Sequence, residues 1–85
     1  MRVLMQQPPH AQEQPRFVSI SLQQDLLGGW TLLKESGFIG GKSQLKREQF
    51  LDTEPAIEAF EKARAAHFKK GFQVVFVQGV AEPKP

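Results

Sequence analysis

Apolar and polar residues alternate over three segments of the chain, the pattern of half-buried β-strands. The first covers residues 16–22, with apolar side chains at 18, 20 and 22 and serines between them. The second runs from Trp30 to Glu35. It follows a short polar connection and Gly28-Gly29, a spacing that predicts a hairpin. The third, from Ser43 to Phe50, is polar enough to predict an edge strand.

The pattern then changes to helical spacing. Asp52-Thr53 offers an N-cap, and Pro55 falls in the first turn, where its missing N–H costs nothing. Bulky side chains recur near one helical stripe, at Ile57, Phe60, Arg64 and Phe68. Gly71 is the residue type that commonly follows a helix C-terminus. We therefore predict a helix over about residues 54–70.

Residues 72–77 form a last strand, apolar on both sides, for which we expect a central place in the sheet. This order of elements predicts an α+β fold, with an antiparallel β-sheet of about four to five strands and one α-helix packed on it. Residues 1–15 carry Gln and Pro without periodicity, so we expect a disordered N-terminal arm. The domain should then cover residues 16–79, followed by a disordered tail over 80–85.

Composition limits the possible functions. The 85 residues carry a net charge of +2, which permits contact with nucleic acid without indicating it. Because there is no cysteine, disulfides and thiolate metal sites are excluded. The chain has no apolar run long enough for a transmembrane helix, and its first residues do not resemble a signal peptide. We expect a cytoplasmic monomer without membrane contact.

Catalytic motifs are missing from the sequence. Gly40-Gly41-Lys42-Ser43 resembles the end of a phosphate-binding loop, but the leading Gly is missing and the following segment alternates like a strand. His10 and His67 are isolated, so neither indicates a metal site. We expect a chain that is not an enzyme and has no cofactor and no small-molecule substrate.

Three short motifs together resemble the WGR domain, over about residues 16–76. They are Leu27-Gly28-Gly29-Trp30, the segment from Lys34 to Gly40, and Lys70-Gly71-Phe72 at the end of the predicted helix. The resemblance, which extends to bacterial WGR-domain proteins, implies an antiparallel sheet with one helix. It also implies nucleic-acid binding, as in the module beside the catalytic part of poly(ADP-ribose) polymerases. There the motif's Trp packs against a sugar at a DNA break, and its Arg helps to hold the DNA end.

This sequence departs from the motif at two of its three positions. Ser36 stands in place of the Trp and Phe38 in place of the Arg, while Gly37 is kept. Neither replacement supplies a guanidinium fork or an indole plane. His67 lies where relatives often carry a basic side chain, and it is only fractionally charged at neutral pH.

Two functions remain open. In the first, the chain is a non-catalytic module that binds DNA weakly through phosphates. Its candidate site residues are Lys34, Ser36, Gly37, Phe38, Lys42, Lys46, His67 and Lys70. In the second, it is a protein-interaction domain that has lost the DNA contacts and presents Phe38 and Ile39 to another protein.

Purely structural roles for these residues stay open as well. Phe38 either stacks on a base or closes the end of the sheet. The lysines either contact phosphates or form a solvated face. Trp30 either anchors the core or serves as a ligand platform.

Overall fold

The computed structural model describes residues 1–8 and 14–79. Within these ranges the chain forms five strands and one α-helix. In chain order they are β1 (Arg2–Gln6), β2 (Arg16–Gln24), β3 (Trp30–Phe38), β4 (Ser43–Phe50), α1 (Thr53–Lys69) and β5 (Gln73–Gln78). All strand pairs are antiparallel, and the helix packs on the sheet. The predicted α+β fold is confirmed.

The predicted β2–β3 hairpin is present and is closed by the loop that Asp25 begins. The Asp25 carboxylate accepts hydrogen bonds from the backbone N–H groups of Leu27 and Gly29, each at 2.9 Å. Gly28 adopts a φ of +92°, in the left-handed region that favours glycine. The strands then pair residue by residue from Gln24 and Trp30 outward. Strand β3 is longer than predicted, so positions 36–38 lie at its end and not in a turn.

The expectation of a disordered arm is wrong for its first residues. β1 lies in the sheet between β2 and β5, and Val3 and Met5 are fully buried. Their spacing is the two-residue alternation of a strand, but the segment is short and is followed by Gln and Pro. Of the two strands that stabilise it, β2 lies beyond this Gln- and Pro-containing connection and β5 follows much later in the chain. Residues 9–13 and the predicted tail at 80–85 lie outside the described residues.

The strand order in the sheet is β4-β3-β2-β1-β5, and it tests the predicted positions of two strands. β4 is an edge strand, as predicted. β5 was expected to be central but forms the opposite edge, because β1 occupies the inner position beside β2. The apolar side chains of Val74 to Val77 are accordingly 38–54% exposed.

The helix begins and ends close to the predicted residues. Asp52 is the N-cap residue, although its side chain makes no capping hydrogen bond. Ala56 and Phe60 are buried against the sheet, and Ile57 is half-buried. Phe68 departs from the predicted apolar stripe, because its side chain is 66% exposed. No helix among the described residues is sufficiently long and apolar to span a bilayer.

The core lies on the face of the sheet that α1 covers. It is built from alternate residues of β1, β2 and β3 together with Phe60 of the helix and Phe72 after it. Trp30 packs at the margin of this core, and its indole Nε1–H donates to Thr53 Oγ1 at 3.0 Å. This contact joins the start of β3 to the start of the helix. Trp30 therefore serves as a core anchor, at the opposite end of β3 from Phe38.

Candidate functional site

An open cavity of about 630 Å³ lies where the end of β3 faces the C-terminus of α1. Six of the eight predicted site residues line it: Ser36, Gly37, Phe38, Lys42, His67 and Lys70. β3 and the turn after it supply the first four, and the end of the helix supplies the last two. Segments that are distant in sequence thus bring the predicted residues together in one cleft.

The β3–β4 turn forms one wall of the cleft, and Gly37 allows its close packing. A Cβ atom at position 37 would lie 2.6 Å from the Cα of Ser43, a distance that real Cβ contacts essentially never show. The Phe38 N–H donates to the carbonyl oxygen of Lys42 at 3.2 Å, and the Gly41 N–H donates to that of Phe38 at 3.0 Å. Gly37 is therefore required by the tight return of the chain, which holds Phe38 and Lys42 on the same wall.

The opposite wall is the C-terminus of α1, which ends in a Schellman motif. The Phe72 N–H donates to the carbonyl oxygen of His67 at 3.1 Å, and the Gly71 N–H donates to that of Phe68 at 3.0 Å. Gly71 permits this reversal with a φ of +93°. The motif buries Phe72 in the core, while Lys70, just before the reversal, stays exposed in the cleft wall.

His67 is held in place by two contacts. Its Nδ1 lies 2.9 Å from the carbonyl oxygen of Ala63, and its ring meets that of Phe72 edge-on, with centroids 5.2 Å apart. If Nδ1 carries the proton and donates it to this carbonyl, Nε2 of the neutral ring is an acceptor, and it donates to an anion only when both ring nitrogens are protonated. The residue is half-buried and lines the cleft beside Lys70.

The other two predicted residues, Lys34 and Lys46, lie outside the cleft. They are directly opposite each other on β3 and β4 and line a smaller depression of about 270 Å³ with Arg47 and Glu48. Lys34 is two positions before Ser36 on β3, so both residues belong to the same sheet face, about 7 Å apart along the strand. Like charges opposite each other destabilise a sheet, and a bound anion would relieve that repulsion.

Arg16 and Gln7, which were not among the predicted site residues, also line the cleft. Arg16 is the first residue of β2 and is directly opposite Phe38. The Gln7 N–H donates to the carbonyl oxygen of Arg16 at 2.9 Å. Arg16 could have been found by counting outward from the hairpin loop, because that count pairs it with Phe38. Gln7 gave no comparable signal.

The charges around the cleft are of one sign. Arg16, Lys42 and Lys70 are its cationic side chains, and no Asp or Glu of the described residues lines it. Within residues 1–8 and 14–79 no group of three or more His, Cys, Asp or Glu is placed to hold a metal ion. The arrangement suits an anion with several acceptor oxygens, contacted by separate cations and hydroxyl groups.

Comparison with known proteins identifies the family to which the chain belongs. The family model described as WGR domain matches residues 1–77, which is most of the chain and includes β1. Searches among curated proteins and among solved structures found no match. The matched span contains every element of the sheet and helix up to β5, and both walls of the cleft. The chain therefore belongs to the WGR domain family of nucleic-acid-binding modules.

Proposed function

We propose that this chain is a non-catalytic module that binds DNA through its phosphates at the cleft between the β3–β4 turn and the end of α1. The observation that carries the proposal is the convergence of cations on a concave site that no carboxylate of the described residues lines. Phosphate neutralisation by Lys and Arg supplies most non-specific affinity for nucleic acid, and it does not need base-specific geometry.

The Lys34–Lys46 pair extends this cationic surface. It lies on the same sheet face as Ser36, beyond the cleft along β3. A backbone that enters the cleft at Lys42 and Lys70 would reach this pair within a few strand positions. Because the spacing per strand position is about 3.4 Å, the two sites are close enough to contact neighbouring phosphates of one strand.

A titration of ¹⁵N-labelled protein with nicked and blunt duplex DNA, at two salt concentrations, tests this function. We expect salt-sensitive shifts at Lys34–Lys46 and at His67–Lys70, with no shifts at the hairpin loop around Leu27. The loop is a suitable internal control because Leu27 is exposed and lies at the other end of the sheet hairpin. If no resonance shifts at low salt and high DNA concentration, DNA binding is refuted.

A second candidate function is a protein-interaction module that has lost the DNA site. It is favoured by the exposure of Phe38 and Ile39, at 38% and 39%, beside a turn of small residues. The same titration separates the two functions, because an interaction module of this kind would leave the spectra unchanged on addition of DNA. Phe38→Ser and Ile39→Ser variants would then bind a protein partner less well and would remain folded, since neither side chain is part of the buried core.

A further inference from the structure

Arg16 and Phe38 form a stacked pair in the cleft. The two residues are directly opposite each other at the end of the β2–β3 hairpin. The guanidinium carbon of Arg16 lies over the Phe38 ring, 5.0 Å from its centroid. Both side chains line the cleft with Lys42 and Lys70.

The stack orients the guanidinium without consuming its hydrogen-bonding groups. A cation over a ring is attracted by the negative π-face, while the N–H donors point outward in the guanidinium plane. The two ion pairs among residues 1–8 and 14–79 are Lys62–Glu58 and Arg64–Glu61, so Arg16 takes part in neither. No ion pair of the described residues therefore occupies its donors, and the stack reduces the rotamer freedom that binding would otherwise remove.

The backbone at this point is also fixed. The carbonyl oxygen of Arg16 accepts a hydrogen bond from the Gln7 N–H, and the Ile39 N–H donates to the carbonyl oxygen of Pro15 at 2.9 Å. Two chain segments, at Gln7 and at the end of β3, therefore fix the backbone of residues 15 and 16. The planar guanidinium of a side chain anchored in this way can donate to two oxygens of one phosphate at once. A lysine ammonium cannot match this geometry.

We propose that Arg16, held against Phe38, is the phosphate-binding guanidinium of the cleft, and that Phe38 is its platform. The guanidinium that position 38 does not provide is brought to the same end of the sheet by the neighbouring strand. This inference rests on the proposed DNA binding. It assigns Phe38 a different role from stacking on a base, because the Phe38 ring already faces the guanidinium.

The affinity of nicked duplex DNA for four variants tests the proposal. Arg16→Gln removes the charge and the fork, Arg16→Lys keeps the charge alone, and Phe38→Leu removes the platform. Arg2→Gln is the matched control, because it also removes one exposed arginine charge but lies outside both the cleft and the Lys34–Lys46 depression, at the other end of β1 from Gln6. Circular dichroism and urea unfolding confirm that each variant folds.

We expect Arg16→Gln to weaken binding about tenfold or more, and Arg16→Lys to weaken it several-fold with an unchanged salt slope. Phe38→Leu should also weaken binding several-fold, with the salt slope unchanged, and Arg2→Gln should stay within about twofold of wild type. If Arg16→Lys binds as tightly as wild type, or if Arg16→Gln loses no more affinity than Arg2→Gln, the proposal is overturned although DNA binding stands. If the wild-type protein does not bind DNA, the proposed function fails and this inference fails with it.

Discussion

The rings of His67 and Phe72 meet edge-on at 5.2 Å, and the Phe72 N–H donates to the His67 carbonyl oxygen at 3.1 Å. Both side chains line the cleft, and Phe72 also belongs to the buried core. The Schellman motif at the end of α1 thereby ties the position of the cleft wall to the packing of the domain. The shape of the cleft therefore depends on the packing of the core as well as on the side chains that line it.

Truncation of Phe72 should damage both stability and the cleft. We expect Phe72→Ala to lower the free energy of unfolding by about 3–4 kcal/mol, because a buried ring is replaced by a cavity. It should also shift the His67 side-chain resonances. Phe68→Ala is the control: that side chain is 66% exposed, so the loss should be below about 1 kcal/mol. Urea unfolding and NMR measure these effects, and equal losses in the two variants would contradict this account of the helix end.

Because β1 lies inside the sheet, we expect a substitution very near the N-terminus to lower the free energy of unfolding substantially. Met5→Ala should lower the free energy of unfolding by about 3 kcal/mol, since the Met5 side chain is fully buried. Leu4→Ala, on the other face of the same strand, should cost about 1 kcal/mol, because Leu4 is only half-buried. If Met5→Ala leaves the urea midpoint unchanged, β1 does not belong to the sheet core.

Two glycines beside the cleft are required for different reasons, and alanine substitutions should separate them. Gly40 has a φ of +77° with open space around its Cα, so Gly40→Ala should cost about 1 kcal/mol in conformational strain alone. Gly37→Ala forces the added methyl group against Ser43 and should cost more than about 2 kcal/mol. Urea unfolding measures both costs. If Gly37→Ala does not lower the free energy of unfolding, β3 and β4 are not held this closely.

Restoration of the motif side chains should strengthen binding. In Ser36→Trp/Phe38→Arg, an indole and a second guanidinium are added to a cleft that is already cationic, while the Phe38 platform under Arg16 is lost. We expect the two added contacts to outweigh the several-fold loss from the missing platform, with binding of nicked duplex DNA about tenfold tighter than for wild type. The matched comparison is Thr31→Trp/Leu33→Arg on the same strand, outside the cleft. If the Ser36→Trp/Phe38→Arg variant folds and its affinity for DNA does not rise, the site is misplaced.

The elements that the sequence predicted well are those with local signals. The β2–β3 hairpin follows from alternation and Gly28-Gly29, and α1 follows from Asp52, Pro55 and Gly71, which act on the backbone next to them. β1 could not be predicted in the same way, because its five residues are held between β2, beyond a Gln- and Pro-containing connection, and β5, which follows much later in the chain. The edge position of β5 was missed for the same reason.

The cleft shows the same division between local and long-range information. Ser36, Gly37, Phe38 and Lys70 were selected from short motifs, and the fold brings them together. Arg16 carries no motif of its own. Its place against Phe38 depends on the register of two strands, and that register is set by the loop at the other end of the hairpin.

The salt dependence of DNA binding tests the central claim most directly. Wild-type protein and a Lys42→Gln/Lys70→Gln variant are titrated with nicked duplex DNA over a series of salt concentrations, with Lys62→Gln, which pairs with Glu58 away from the cleft, as the control. The account predicts that the magnitude of the slope of log K against log salt falls by about two in the double variant and does not change in the control. An unchanged slope in the double variant, or wild-type binding with no salt dependence, would contradict phosphate binding at the cleft.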